Sequence, residues 1–199
     1  MSMTVSPGAA IPMCVSQSEQ AVGVQAQAGD VRGREPIVIA EATAADLEVL
    51  YQMSVALAMY ERKSAAEILL TREKLAKWAF GPNKVFSALI ARKGGQPVGM
   101  AVYYYAYAGS VGAPILYCED LFVERLHRGR GVATLMLKEL VLRASKVGCC
   151  RVQGAVFNWN ESAAACYEKL GAQIRRDLHQ VRLESSKFSR FLENADAYV

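Results

Sequence analysis

The chain has 199 residues, a formal net charge of +4, 52% hydrophobic residues and 21% charged residues. That is long enough for one domain with a substantial core. It is too weakly basic, with its arginines too scattered, for a nucleic-acid surface. No run of about 18 apolar residues is present, so no membrane span is expected.

The five cysteines are Cys14, Cys118, Cys149, Cys150 and Cys166. An odd count without C-x-x-C spacing argues against a disulfide framework or a zinc site, and for a reducing compartment. The two histidines, His127 and His179, are too few for a metal cluster, so no metal is expected. The first residues lack a basic segment leading into an apolar run, which argues against a secretory signal and for a cytoplasmic protein.

Residues 1–35 are rich in Ala, Gly, Gln, Ser and Val. They cannot bury enough surface to offset the entropy of ordering, and a flexible extension is expected. Residues 36–199 are expected to form a single domain. "PIVIA" (36–40) reads as a strand. Thr43, with Asp46 three residues on, reads as a helix N-cap ahead of an apolar pattern from Leu47 to Ala58.

A second helix should start near Thr71 and stop at Gly81-Pro82. "VFSALIAR" and "PVGMAVYYYAY" flank "KGGQ", a hairpin signature, and "ILYCEDLFV" is a third long strand. A helix over about 131–146 follows, with Leu137, Leu140, Val141 and Ala144 on its apolar face. Then come a strand "RVQGAVF", a helix over about 160–170 and a closing strand near Arg176–Leu183. The last residues, "SKFSRFLENADAYV", have the pattern of a short amphipathic helix. An antiparallel meander followed by a βαβ crossover makes an α/β (α+β) protein, a mixed, mostly antiparallel sheet flanked by helices.

"RGRGVA" (128–133) opens the helix after the third long strand. A helix N-terminus offers unpaired N–H groups and a positive dipole end, and glycines let backbone approach a phosphate. The spacing is neither a Walker loop nor a Rossmann fingerprint. A glycine-rich turn with two solvated arginines satisfies the same residues.

This loop resembles the acetyl-coenzyme A loop, Q/R-x-x-G-x-G/A, of the GNAT N-acetyltransferases. "ATAADLEVL", "VGMAVYYYAY", "LYCEDLFVERLHRGRGVATLMLKEL" and "VFNWNESAAACYEKLGA" resemble, in order, segments of the spermidine/spermine (diamine) acetyltransferase branch. The resemblance covers about 36–183. It implies a GNAT-type twisted sheet and acetyl-CoA as co-substrate, with no metal. It also implies a homodimer acting on a small-molecule amine, with neither nucleic acid nor membrane as partner.

By resemblance, Arg128, Gly129, Arg130, Gly131, Val132 and Ala133 hold the pyrophosphate, while Leu121, Phe122 and Val123 hold the pantetheine arm. Asn160 and Ser162 line the cofactor. Acetyl transfer needs a neutral amine, yet a primary amine has a pKa of about 10.4. Glu119 matches the family's proton acceptor and Tyr167 its general acid toward the leaving thiolate. Without the resemblance, Glu119 reads as a surface acid and Tyr167 as a core tyrosine. Asp120 is expected on the opposite sheet face from Glu119, because side chains alternate along a strand. A structural role is expected for it, capping a loop or pairing with an arginine.

Two segments depart from the polyamine-acetylating pattern. Ala108, Gly109 and Ser110 stand where that branch has an acid and a tryptophan, and "YERKSAAEIL" brings in Arg62 and Lys63 where it has a pair of acids. Losing carboxylates and gaining cations weakens the binding of a polycation. A diamine, a polyamine or a lysine-like amine therefore all remain acceptors to test. Acetylation of a protein or peptide, or a non-catalytic acyl-CoA-binding module, are the alternatives.

Overall fold

The computed structural model describes residues 35–196; all but the last residue of the expected N-terminal extension lies outside them. The described chain divides into two compact units, one ending at Gly154 and one starting at Ala155. In the first unit, β1 (Ile37–Glu41) leads through a single 3-10 turn into α1 (Leu47–Tyr60). The turn is closed by a capping box in which the Thr43 N–H donates to Asp46 Oδ2 at 2.9 Å. α2 (Arg72–Phe80) starts where the Thr71 hydroxyl accepts from the Lys74 N–H.

Then follow β2 (Ser87–Lys93), β3 (Gln96–Ala108), β4 (Ala113–Val123), α3 (Val132–Val147) and β5 (Val152–Gly154). The five strands pair in sequence order. β1–β2, β2–β3 and β3–β4 are antiparallel, and β4–β5 is parallel. The mixed sheet expected from the element order is therefore present.

Each face of the sheet carries its own core. Leu50, Met53 and Leu57 of α1 and Leu75 of α2 pack with Ile90, Met100, Val102 and Phe122 on one face. On the other, Val132, Met136, Leu140 and Ala144 of α3 pack with Leu89, Ala101, Tyr103 and Leu116. The α3 row repeats every four residues, so its buried face is rotated from the expected one and Val141 is 51% exposed. The tyrosines of β3 divide by alternation: Tyr103 is buried under α3, where its hydroxyl accepts from Arg143 Nη1 at 2.9 Å, while Tyr104 faces the α1 side.

The second unit contains α4 (Glu161–Lys169) and α5 (Phe188–Asp196). α5 confirms the amphipathic C-terminal helix. The closing strand expected at Arg176–Leu183 is not formed. A strand exists only through pairing, and an alternating pattern supplies the side chains but not the partner.

Leu140 is fully buried between α3 and the sheet. Leu140→Ala should lower the unfolding free energy by about 3 kcal/mol in urea titrations, and an unchanged midpoint would contradict this packing.

Candidate active site

A cavity of about 670 Å³ opens in the first unit between α1, the segment after it, α2 and the α1-side face of β3 and β4. Its walls are largely apolar, with Leu57, Leu70, Leu75 and Phe86 among them, and Tyr104 adds an aromatic surface. Four carboxylates line it: Glu61, Glu67, Glu119 and Asp120.

Two of these acids owe their position to an irregularity in β4. Tyr103 pairs with Cys118 and Val102 with Asp120, so Glu119 has no partner on β3. This is a β-bulge, which puts two residues of one strand opposite one of the other and breaks the alternation. Glu119 and Asp120 therefore both line the cavity. That corrects the expectation that Asp120 faces away in a structural role: no arginine pairs with it among the described residues. Strict alternation fails here because the extra residue resets the phase; nothing in the sequence except the adjacent acids hints at it.

Glu119 is exposed to the cavity, and the Tyr104 hydroxyl donates to its Oε2 across a long 3.5 Å contact. Tyr104 in turn stacks on Tyr117 with ring centroids 5.2 Å apart. Asp120 is half-buried, and burial, reinforced by the charges of Glu119 and Glu61, raises its pKa from 3.8 to about 6. Lys63 acts in the opposite sense on it. A carboxylate poised near neutrality in a cleft is suited to accepting a proton.

The other two acids are already engaged. Glu67 Oε2 accepts from the Ser64 N–H at 2.8 Å and the Ser64 hydroxyl at 2.6 Å, and these bonds hold its pKa down. Glu61 pairs with Lys63 at 3.1 Å. Residues two apart do not face each other on a helix. They meet here because Arg62 between them adopts a left-handed conformation, φ 67°, as α1 ends.

A second set of features lies where β4 leaves the sheet. β5 pairs with β4 only at Leu116–Cys118, and beyond Cys118 that edge of β4 has no partner strand among the described residues. Gly154 closes the last pair: a Cβ there would sit 2.8 Å from the Cys118 carbonyl oxygen. Leu121, Phe122 and Val123 bury their side chains in the two cores, so only their backbone is offered along this edge.

The chain then turns through Gly129 (φ 69°) and Gly131 (φ 82°) into α3, whose N-terminus has no side-chain cap. A Cβ at either glycine would meet nothing within 4 Å, so the space beside both is open. That geometry fits a phosphate-bearing ligand. Arg130 is exposed there. Arg128 is exposed as well; its Nε donates to the Val123 carbonyl at 2.8 Å and its guanidinium lies 4.7 Å from the Tyr60 ring, which braces the end of β4 against α1.

In the second unit, the Asn160 side-chain oxygen caps α4 by accepting from the Ala163 N–H at 3.3 Å. Ser162 Oγ donates to the same oxygen at 3.3 Å. Tyr167 lies in the middle of α4, seven residues after this cap.

A family model described as "Acetyltransferase (GNAT) family" matches residues 47–172. The chain belongs to the GNAT acetyltransferase family. It is 32% identical over 145 residues to a thialysine N-epsilon-acetyltransferase of Sus scrofa, covering 69% of this chain and 84% of that one. An L-ornithine N5-acetyltransferase of Arabidopsis thaliana is 29% identical over 104 residues, 52% of this chain and 42% of that one. An aminoglycoside acetyltransferase from an uncultured soil metagenome superposes with a TM-score of 0.63 at 16% identity, covering 74% of this chain and 97% of that one. At that identity the match speaks for the fold alone.

The chain is thus an acetyl-CoA-dependent N-acetyltransferase. Gly131→Val puts a β-branched residue at φ 82°, where it is strained, and fills the space before α3. Acetyl-CoA affinity by calorimetry should fall more than about tenfold, with the far-UV spectrum unchanged. Unaltered affinity would rule out this loop as the anion cradle.

Asp120 carries a further consequence. Its folded pKa lies above the unfolded value, so the native state holds a proton that the unfolded chain has released. Stability is therefore lost as pH rises from about 4 to about 6 and stays lost above, by on the order of 2 kcal/mol. Asp120→Asn should raise the urea midpoint at pH 7.5, with the gain shrinking toward pH 4.5. Equal stabilities at pH 7.5 would contradict the raised pKa.

Proposed function

We propose that this GNAT enzyme acetylates the terminal primary amine of a small diamine, polyamine or lysine-like molecule, bound in the α1–β4 cavity. The observation that carries the reading is the Glu119–Asp120 pair, turned to one side by the bulge at the point where the β4 edge becomes free. Two carboxylates at the end of an apolar, aromatic-lined cavity attract an ammonium group and can take its proton. The names of the relatives, which act on thialysine and on ornithine, are in keeping with a short amine-bearing acceptor.

Acetyl-CoA, when bound, supplies a thioester as the acyl donor. Gly129, Arg130, Gly131, Val132 and Ala133 receive its pyrophosphate through backbone N–H groups. The backbone of Leu121, Phe122 and Val123 receives the pantetheine arm as if it were another strand, and an N–H of this edge polarises the acyl oxygen. Asn160, the N-cap of α4, and Ser162 line the cofactor, as the family resemblance implies.

Glu119, with Asp120 beside it, takes the proton lost by the amine, directly or through water. As the N–C bond forms and the C–S bond breaks, Tyr167 gives its phenolic proton to the departing sulfur. Residues 36–199 act as a single transferase domain, in a cytoplasmic homodimer.

A thiol-release assay with acetyl-CoA against diamines, polyamines, lysine-like amines and peptides tests the reading. Turnover is expected with small amines, and Tyr167→Phe should cut kcat by about 100-fold or more with acetyl-CoA affinity nearly intact. Turnover with peptides alone would point to a protein acetyltransferase. Tight acetyl-CoA binding without thiol release on any amine would point to a non-catalytic acyl-CoA-binding module.

A further inference from the structure

Among the described residues lining the cavity, Lys63 is the one cation. A cavity evolved only to hold amines gains nothing from an ammonium group in its wall, since like charges repel. Nor does Lys63 contribute much to stability. Its side chain is 48% exposed, its partner Glu61 is 21% exposed, and ion pairs at such exposure contribute about 1 kcal/mol or less. The helix ending itself fixes the pair: α1 closes in a left-handed turn at Arg62, with the Lys63 N–H donating to the Ala58 carbonyl at 3.1 Å, and this turn brings Lys63 to 3.1 Å from Glu61.

We propose that the Glu61–Lys63 pair is the recognition element for the zwitterionic head of an α-amino acid, with Lys63 taking the α-carboxylate, Glu61 the α-ammonium, and the Glu119–Asp120 pair the distal amine to be acetylated. This rests on the transfer reading above and names the acceptor class within it. Opposite charges 3.1 Å apart are the complement of an ammonium and a carboxylate on one carbon. The weak Glu61–Lys63 contact is exchanged for two contacts with the head group, and neither wall charge is left unpaired.

Glu67 cannot substitute for Glu61, because both of its short contacts go to Ser64. The two pairs line one cavity and belong to one electrostatic system, since Glu61 and Lys63 both act on Asp120, in opposite senses. A bare diamine would leave Lys63 facing a second cation, so Lys63 is a specificity-determining residue that admits carboxylate-bearing amines and disfavours polyamines.

The test compares amines that differ only in the carboxylate: L-lysine against cadaverine, and L-ornithine against putrescine. Rates are read by thiol release at pH 8, where Asp120, with its pKa of about 6, is ionised throughout. The wild type should show kcat/KM at least about tenfold higher for the amino acid in the pair that fits the cavity. Lys63→Met should remove that preference by raising KM for the amino acid about 10- to 100-fold, as expected for a lost charge-assisted hydrogen bond. kcat should change little, and kcat/KM for the matching diamine should hold or rise. Lys63→Arg should retain most of the preference.

A preference for cadaverine or putrescine in the wild type, or a ratio that Lys63→Met leaves unchanged, would overturn the assignment of Lys63 while leaving the enzyme an amine acetyltransferase. Absence of thiol release with all four amines would overturn the transfer reading and the inference with it.

Discussion

Cys118 is the last residue of β4 that is paired in step on both sides, and the site depends on what happens one residue later. On the β3 side the register slips at Glu119; on the β5 side the pairing stops altogether. Either event alone would be unremarkable in a twisted sheet. Together they change both neighbours of β4 at one point. The slip turns two consecutive carboxylates toward the cavity under α1, and the lost pairing leaves backbone available along the edge. In the function proposed for this site, acceptor and donor surfaces lie side by side on one strand, and that adjacency is what a direct transfer requires.

The surrounding structure makes this break tolerable. Glu119 keeps its carboxylate in solvent, so the unpaired residue of the bulge buries no uncompensated charge. The end of β4 is held by Arg128, which satisfies the Val123 carbonyl and lies against Tyr60. The same arginine therefore ties α1, which forms one wall of the cavity, to the strand that carries the acids. Gly154 lets β5 come close enough to make its last pair. The two cores on either face are apolar, and Val152 of β5 packs against the one under α3.

Most elements of the first unit are legible in the sequence because their signals are local. Thr43, Thr71, Gly81 and the Gly94-Gly95 turn each act within a few residues, and the strands between them follow an apolar pattern that the sheet preserves. The loop at 128–133 is legible for the same reason. What the sequence conceals depends on a neighbour. The closing strand at 176–183 has the right alternation, but a strand is defined by its partner. Asp120 follows its neighbour by one residue, and only the register against β3 shows that the two share a face. Lys63 reads as an interruption of an acidic groove, because its closeness to Glu61 depends on the single left-handed residue between them.

The electrostatics of the cavity follow from this crowding. Burial and two neighbouring carboxylates make the charged form of Asp120 costly, and the cost is borne by the folded state at neutral pH. The same free energy makes Asp120 a better proton acceptor than an ordinary aspartate, because its conjugate acid is weaker. An arriving ammonium lowers the cost by supplying the missing positive charge, so binding is favoured in the protonation state that chemistry then requires. Lys63 limits how far this can go. By partly offsetting the acids it pulls the Asp120 pKa down, and as a fixed cation it makes a second ammonium on the acceptor unwelcome unless a carboxylate accompanies it. Reactivity at one end of the cavity and selectivity at the other are therefore set by one balance of charges, and a substitution that alters either end should be felt at both.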